Sequence, residues 1–161
     1  MKNEIQIKSK HLIKETRVMT LAVTSCDIPW SSPVYFVFHK NGFYFYSNEN
    51  SRHIQYAQGK KNISASIFHD SDDMEQIFGF QMTGKLEKVL KPNLYLKIAR
   101  KYVTKFNFLK QIFGSQVIDN KQFFLEKFKS HLYCLYPDQI FFSDNSNKSD
   151  KRSKIDLSKI A

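Results

Sequence analysis

The sequence predicts a mainly β protein, a single antiparallel barrel of roughly six to seven strands wound as a meander, with short helices at its periphery. Three observations carry this reading. Runs rich in aromatic and β-branched residues (RVMTLAVT, GFYFYS, NISASIF, QIFGFQMTGKLEKVL) recur with turn residues between them. Within the third, Ile63, Ala65 and Ile67 alternate with Ser64, Ser66 and Phe68, the period of a half-buried strand. Finally, 42% apolar residues and 15 Phe over 161 positions are enough for one core in one domain.

Taken in order, residues 8–15 read as a short helix with Leu12 and Ile13 on its buried side, covering one end of the barrel. Residues 17–24 are a strand, 26–29 the turn out of it, and 32–39 the second strand of the meander. Lys40-Asn41-Gly42 contains an Asn-Gly pair, which tolerates the positive φ of a tight hairpin, so residues 43–47 are expected to pair back on 33–38. Residues 47–50 have turn chemistry, Ser51 is placed to cap a helix over 53–58, and Gly59 ends it. After the strand at 63–68, the acidic cluster Asp70, Asp72, Asp73 and Glu75 reads as a solvated hairpin loop. Crowded like charges at a loop need nothing more than water.

Residues 76–90 form a long strand, in which Gly79 and Gly84 mark bulges or places of close approach. From Pro92 the period becomes 3.6, with Tyr95, Ile98, Ala99 and Tyr102 on one face. Residues 106–113 and 122–128 are shorter, Phe-rich helical segments whose aromatics suit a core or a dimer surface. Strand character returns at 132–136 and 139–143, on either side of Pro137-Asp138. The domain is expected to close at residue 147, leaving 148–161 as a basic, mobile tail.

Mean hydropathy is −0.45. No run approaches the roughly 18 apolar residues that span a bilayer, and MKNEIQIKSK lacks the apolar stretch of a secretion signal. A soluble, cytoplasmic protein with no membrane partner is expected. Cys26 and Cys134 have no zinc or redox spacing and read as free thiols. The net charge of +10 favours anions in general, but no RNA- or DNA-binding signature accompanies it, so nucleic acid ranks low among partners. Nucleotide-binding glycine motifs, the serine-hydrolase elbow and HExxH are absent, and no two of the five histidines stand at i, i+4 on a helix. No metal site is expected.

The functional signal lies at the corner after the strand GFYFYS. Ser47 and Ser51 offer hydroxyls, Arg52 a guanidinium fork and the helix start free N–H groups, a combination suited to a phosphate. A capped helix with a solvated Arg would look the same on this stretch alone. Its context points further. Tyr44-Phe45-Tyr46-Ser47-Asn48, then Ser51-Arg52-His53, residues 62–68 and Gly79-Phe80-Gln81-Met82-Thr83-Gly84 follow one another in order, after Arg17-Val18-Met19-Thr20 and before Ile140-Phe141-Phe142-Ser143. The set resembles the FMN-binding split β-barrels related to pyridoxamine 5'-phosphate oxidase, most closely their small YhbP-like group, over roughly residues 10–147.

This resemblance implies a split barrel of FMN-binding type and a homodimer with the flavin at its interface. It implies that Arg17, Val18, Met19 and Thr20 line the flavin and that Tyr46 and Ser47 meet its ribityl-phosphate end. Ser51, Arg52 and His53 would hold the phosphate, and Gln81 would contact the ring. It further implies an FMN-dependent oxidoreductase acting on a small molecule. Two departures qualify it. His53 stands where the family usually has lysine, and the C-terminal Arg-x-His substrate motif of the true oxidases is missing, so vitamin B6 oxidation is not expected. The alternative is a non-catalytic flavin- or haem-binding protein on the same barrel. No residue is assigned a catalytic role, since the flavin itself supplies the redox chemistry.

Overall fold

The computed structural model describes residues 2–60, 62–120, 122–147 and 152–160. Its frame is one antiparallel sheet of β1 (Val18–Ser25), β2 (Ile28–Tyr35), β3 (Val37–His39), β4 (Gly42–Asn48), β5 (Ile63–His69), β6 (Phe78–Lys88), β7 (Ser130–Asp144) and the short β8 (Ser153–Lys154). Around it lie α1 (Lys2–Glu15), α2 (Arg52–Ala57), α3 (Pro92–Lys105), α4 (Phe108–Phe113), α5 (Gln116–Asp119) and α6 (Phe123–Phe128). The strand order is β2-β1-β5-β6-β7-β4-β3, with β8 on β7. β2 and β3 are the two ends of that order, yet only Phe36 separates them in the chain. The sheet therefore curls until its edges approach, which makes the split barrel that the sequence predicts.

Alternation along the strands sorts the apolar side chains into two cores. Inside the barrel, Met19, Leu21, Phe43, Phe45, Ile67 and Phe80 pack together, with Leu12 of α1 and Ile54 of α2 sealing them. Outside it, Tyr44 of β4 and Leu132 and Cys134 of β7 lie beneath the helical layer, against Ile98 and Tyr102 of α3 and Phe123 and Phe124 of α6. The longest helix of that layer starts with Pro92 in its first turn and buries the stripe Ile98, Ala99, Tyr102 and Val103. Each fully buried large apolar side chain contributes on the order of 1.5–3 kcal/mol. Both layers are therefore structural, not ornamental additions to one another.

Four expectations are corrected. The hairpin turn is Lys40-Asn41, with Lys40 at φ 53°, one residue before the Asn-Gly pair. Gly42 already belongs to β4, where a Cβ would collide with the Cys134 sulfur and the Tyr44 ring. β4 pairs with only Val37–His39 on its β3 side; its long partner is β7, from Phe43 opposite Leu135 to Asn48 opposite Ser130. β7 runs unbroken through Pro137. A register shift between Thr83 and Gly84 absorbs the missing N–H, and at Gly84 any Cβ would strike the Tyr136 carbonyl.

The fourth correction concerns the end of the chain. Ser153 and Lys154 pair with Phe142 and Phe141, and a 3-10 turn at Leu157–Lys159 places Leu157 and Ile160 in the barrel core. Burial of two large aliphatic side chains holds this stretch, so the packed domain extends beyond residue 147. Residues 148–151 and 161 of the expected tail lie outside the described residues. Among the described residues, no helix is long and apolar enough to cross a membrane.

Candidate functional site

β4 delivers the chain into the corner, and side-chain bonds fix the turn. Asn50 N–H donates to Asn48 Oδ1 at 2.8 Å, Ser51 N–H to the Asn48 carbonyl at 3.0 Å, and Gln55 Nε2 to the Glu49 carbonyl at 2.7 Å. Ser51 stands at the N-cap of α2 in extended geometry, but its hydroxyl makes no capping bond. It lies instead 3.3 Å from Ser47 Oγ, which is also 2.8 Å from His53 Nε2. Two hydroxyls and an imidazole thus converge. Burial holds the His53 pKa below the ordinary imidazole value, so the ring is neutral near pH 7 and acts as a hydrogen-bonding group rather than a cation.

The cation at the corner is Arg52, exposed and in no ion pair among the described residues. Its guanidinium carbon sits 4.3 Å from the centre of the Trp30 ring, a cation–π contact that steadies the fork while leaving its N–H groups free to donate. Trp30 is itself oriented, since its Nε1 donates to Ser32 Oγ at 2.9 Å. The arrangement offers a neutral histidine, two hydroxyls and a single placed positive charge. That donor set fits a phosphate monoester.

A second cluster lies on the outer face of the sheet. Register places Pro33, Thr20, Ser66, Gln81 and Phe141 in one rank across five strands, and Ser31, Ala22, Ser64, Thr83 and Gln139 in the next. A groove of about 320 Å³ lies on these ranks, floored by small side chains from β1 and β5 and flanked by Gln81 and Phe141. Two residues further along their strands, exposed Val18 and Phe68 extend the same face. α2 packs on β1 and β2, so one strand connects the corner to the groove.

The structure brings Ser47, Ser51 and His53 together, with Arg52 beside them, and aligns Thr20 with Gln81 across Ser66. It does not bring Tyr46 to them. Successive strand residues face opposite ways, so Tyr46 points into the helical layer, where its ring stacks on Phe124 at 3.7 Å and meets Tyr95 and Tyr102 edge-on. Met19 is likewise removed from any ligand-facing role for its side chain, which is fully buried in the barrel. Arg17 and Val18 are exposed at the start of β1. Sequence reasoning missed Trp30 as the platform for Arg52, because nothing local links two residues 22 positions apart. The serine ranks went unread as well, although the alternation that turns Ser64 and Ser66 outward is a local signal.

Comparison with solved structures supplies the wider context. A haem-binding protein from Mycobacterium smegmatis superposes with a TM-score of 0.70 at 12% identity, over 97% of this chain and 59% of that one. The haem storage protein HutZ from Vibrio cholerae gives 0.64 at 17% identity, over 85% and 93%. An FAD-binding protein from Mesorhizobium loti gives 0.59 at 12%, over 84% and 91%. The chain has the split-barrel fold of these proteins. No protein-family model matches the sequence, and no curated protein matches it.

Proposed function

We propose that this protein is an FMN-binding flavoprotein, working as a homodimer and as an oxidoreductase on a small organic molecule. The carrying observation is the convergence of Ser47, Ser51 and His53 beside an Arg52 held on Trp30. In this reading the two hydroxyls and the guanidinium hold the phosphate, while Thr20, Ser66 and Gln81 border the ring. The bound flavin would supply hydride and electron transfer. The chain's own residues bind and orient it, and none is assigned a proton. The outer sheet face receives the second copy of the chain, which completes each site; the bare ranks of small residues there support this arrangement.

Haem binding without turnover is the second reading, favoured by the haem proteins that share the fold. An absorbance spectrum of the purified protein separates the two through flavin bands or a Soret band. The sharper experiment compares FMN with riboflavin, which lacks the phosphate, by flavin-fluorescence titration. Arg52→Ala is expected to weaken FMN about ten- to a hundred-fold, equivalent to roughly 1.4–2.8 kcal/mol, and to leave riboflavin nearly unchanged. Equal loss for both ligands would place Arg52 in the scaffold, and unchanged FMN affinity would remove the corner from the site.

A further inference from the structure

At the opposite end of β4 from the corner, a larger groove of about 830 Å³ opens between the end of α1, β3 and α3. Its cationic side is built by Lys40, Arg100, Lys101 and Lys105, with the imidazole of His39 among them, and its apolar side by Ile13, Phe38 and Ile160. Glu15 is the one carboxylate among the lining residues, and it is paired with Lys14 at 3.3 Å. Lys40, Arg100, Lys101 and Lys105 make no ion pair among the described residues. We propose that this groove is an anion site for a small phosphate ester, its phosphoryl end held by Arg100, Lys101 and Lys105 of α3 and by Lys40, and its organic part lying on the apolar wall.

Three features argue for a built site over scattered surface charge. Lys105 is half-buried, with its ammonium 4.0 Å over the Phe36 ring and 2.9 Å from the Ile13 carbonyl, so it is fixed at the base of the groove. Lys101 and Lys105 stand four residues apart on α3, the spacing that brings side chains together on one face, and Arg100 lies next to Lys101 in the lining of the groove. The groove also registers the field of its own cations. Burial, then Lys97, Lys101 and Lys40, hold the His39 pKa below its ordinary value. Like charges gathered around an apolar wall repel one another, and a phosphate dianion relieves that repulsion. A long polyanion would need a track of such charges but gain nothing from the apolar wall, so a compact ester is the better fit.

The test is calorimetric titration with inorganic pyrophosphate, with inorganic phosphate and with phenyl phosphate. It is run in the Arg52→Ala background, so that the corner at the far end of β4 does not contribute. Arg100→Glu with Lys101→Glu should weaken pyrophosphate at least tenfold. Lys60→Glu with Lys110→Glu, exposed residues away from the groove whose reversal changes the net charge equally, should change it less than threefold. Lys40→Ala gives a milder second probe of the same wall, and phenyl phosphate should bind more tightly than inorganic phosphate. Equal losses in the two charge-reversed pairs would reduce the effect to net charge and overturn the site, as would no binding of either pyrophosphate or phenyl phosphate. Displacement of pyrophosphate by a tighter-binding single-stranded oligonucleotide would overturn the small-ester assignment in favour of nucleic acid.

Discussion

The outer face of the sheet has two halves that obey opposite rules. Over β4 and β7 it is large and aromatic, with Tyr44, Tyr46, Leu132 and Cys134 covered by the chain's own helices. Over β1, β5 and β6 it is small and polar, with Thr20, Ala22, Ser64, Ser66 and Thr83 covered by no helix among the described residues. The same strand geometry underlies both, so side-chain size separates them. Where its own helices cover the sheet the protein uses rings, and where the face is left open it uses hydroxyls and methyls. Val18 and Phe68 at the border of the bare half, 40% and 56% exposed, are the large apolar residues that another surface would cover.

The largest effect is expected in the covered half. Phe124→Ala removes a ring that stacks on Tyr46 and touches Tyr102 and Phe123, and should cost about 3–5 kcal/mol in urea-induced unfolding. A loss below about 1 kcal/mol would mean that the helical layer is not part of the cooperative unit. In the bare half, Phe68→Asp should act on assembly instead. Light scattering should then read a monomer of 19.0 kDa where the unaltered chain reads twice that, with an unchanged far-ultraviolet spectrum. If the unaltered chain is already monomeric, the bare face does not receive a second copy.

A smaller effect sharpens the contrast at the corner. The folded His53 pKa lies below its unfolded value, so the unfolded chain binds more protons as the pH falls below about 6.5. The stability carried by neutral His53 is complete above that pH and is lost progressively beneath it. His39 titrates in the same sense, so the two must be separated by variants. His53→Asn should flatten part of the acid-side slope of the urea midpoint and His39→Asn another part. An unaltered slope in His53→Asn would show that the corner histidine is solvated.

Much of the fold was legible because it rests on local signals. Alternation at 63–68, the 3.6 period after Pro92 and the breaker at Gly59 each describe their own neighbourhood, and each element forms there. The partners of those elements were less legible. β4 was expected to pair back on its predecessor; it does so only over Val37–His39, while its other edge carries a six-residue ladder with β7, 82 residues or more away. Pro137 read as a break for the same reason; the bulge that accommodates it is created by Gly84 on another strand. At the corner, Ser47, Ser51, Arg52 and His53 were legible as a motif, whereas Tyr46 was carried along by adjacency although strand alternation sends it to the other face. Leu157 and Ile160 were missed because two aliphatics in a polar stretch carry no period.

The packing around Gly42 has a consequence for the chemistry of the two thiols. Cys134 is fully enclosed against Gly42, Tyr44 and Tyr136, and burial pushes its pKa up to about 12, whereas Cys26 is exposed in the turn between β1 and β2. A thiol-specific reagent should therefore modify one cysteine immediately and reach the second only when the helical layer lifts from β4 and β7. With Cys26 replaced by Ser, the slow modification of Cys134 becomes a stopwatch for that opening. The molecule carries, under its own helices, a reporter of how often the covered half becomes bare.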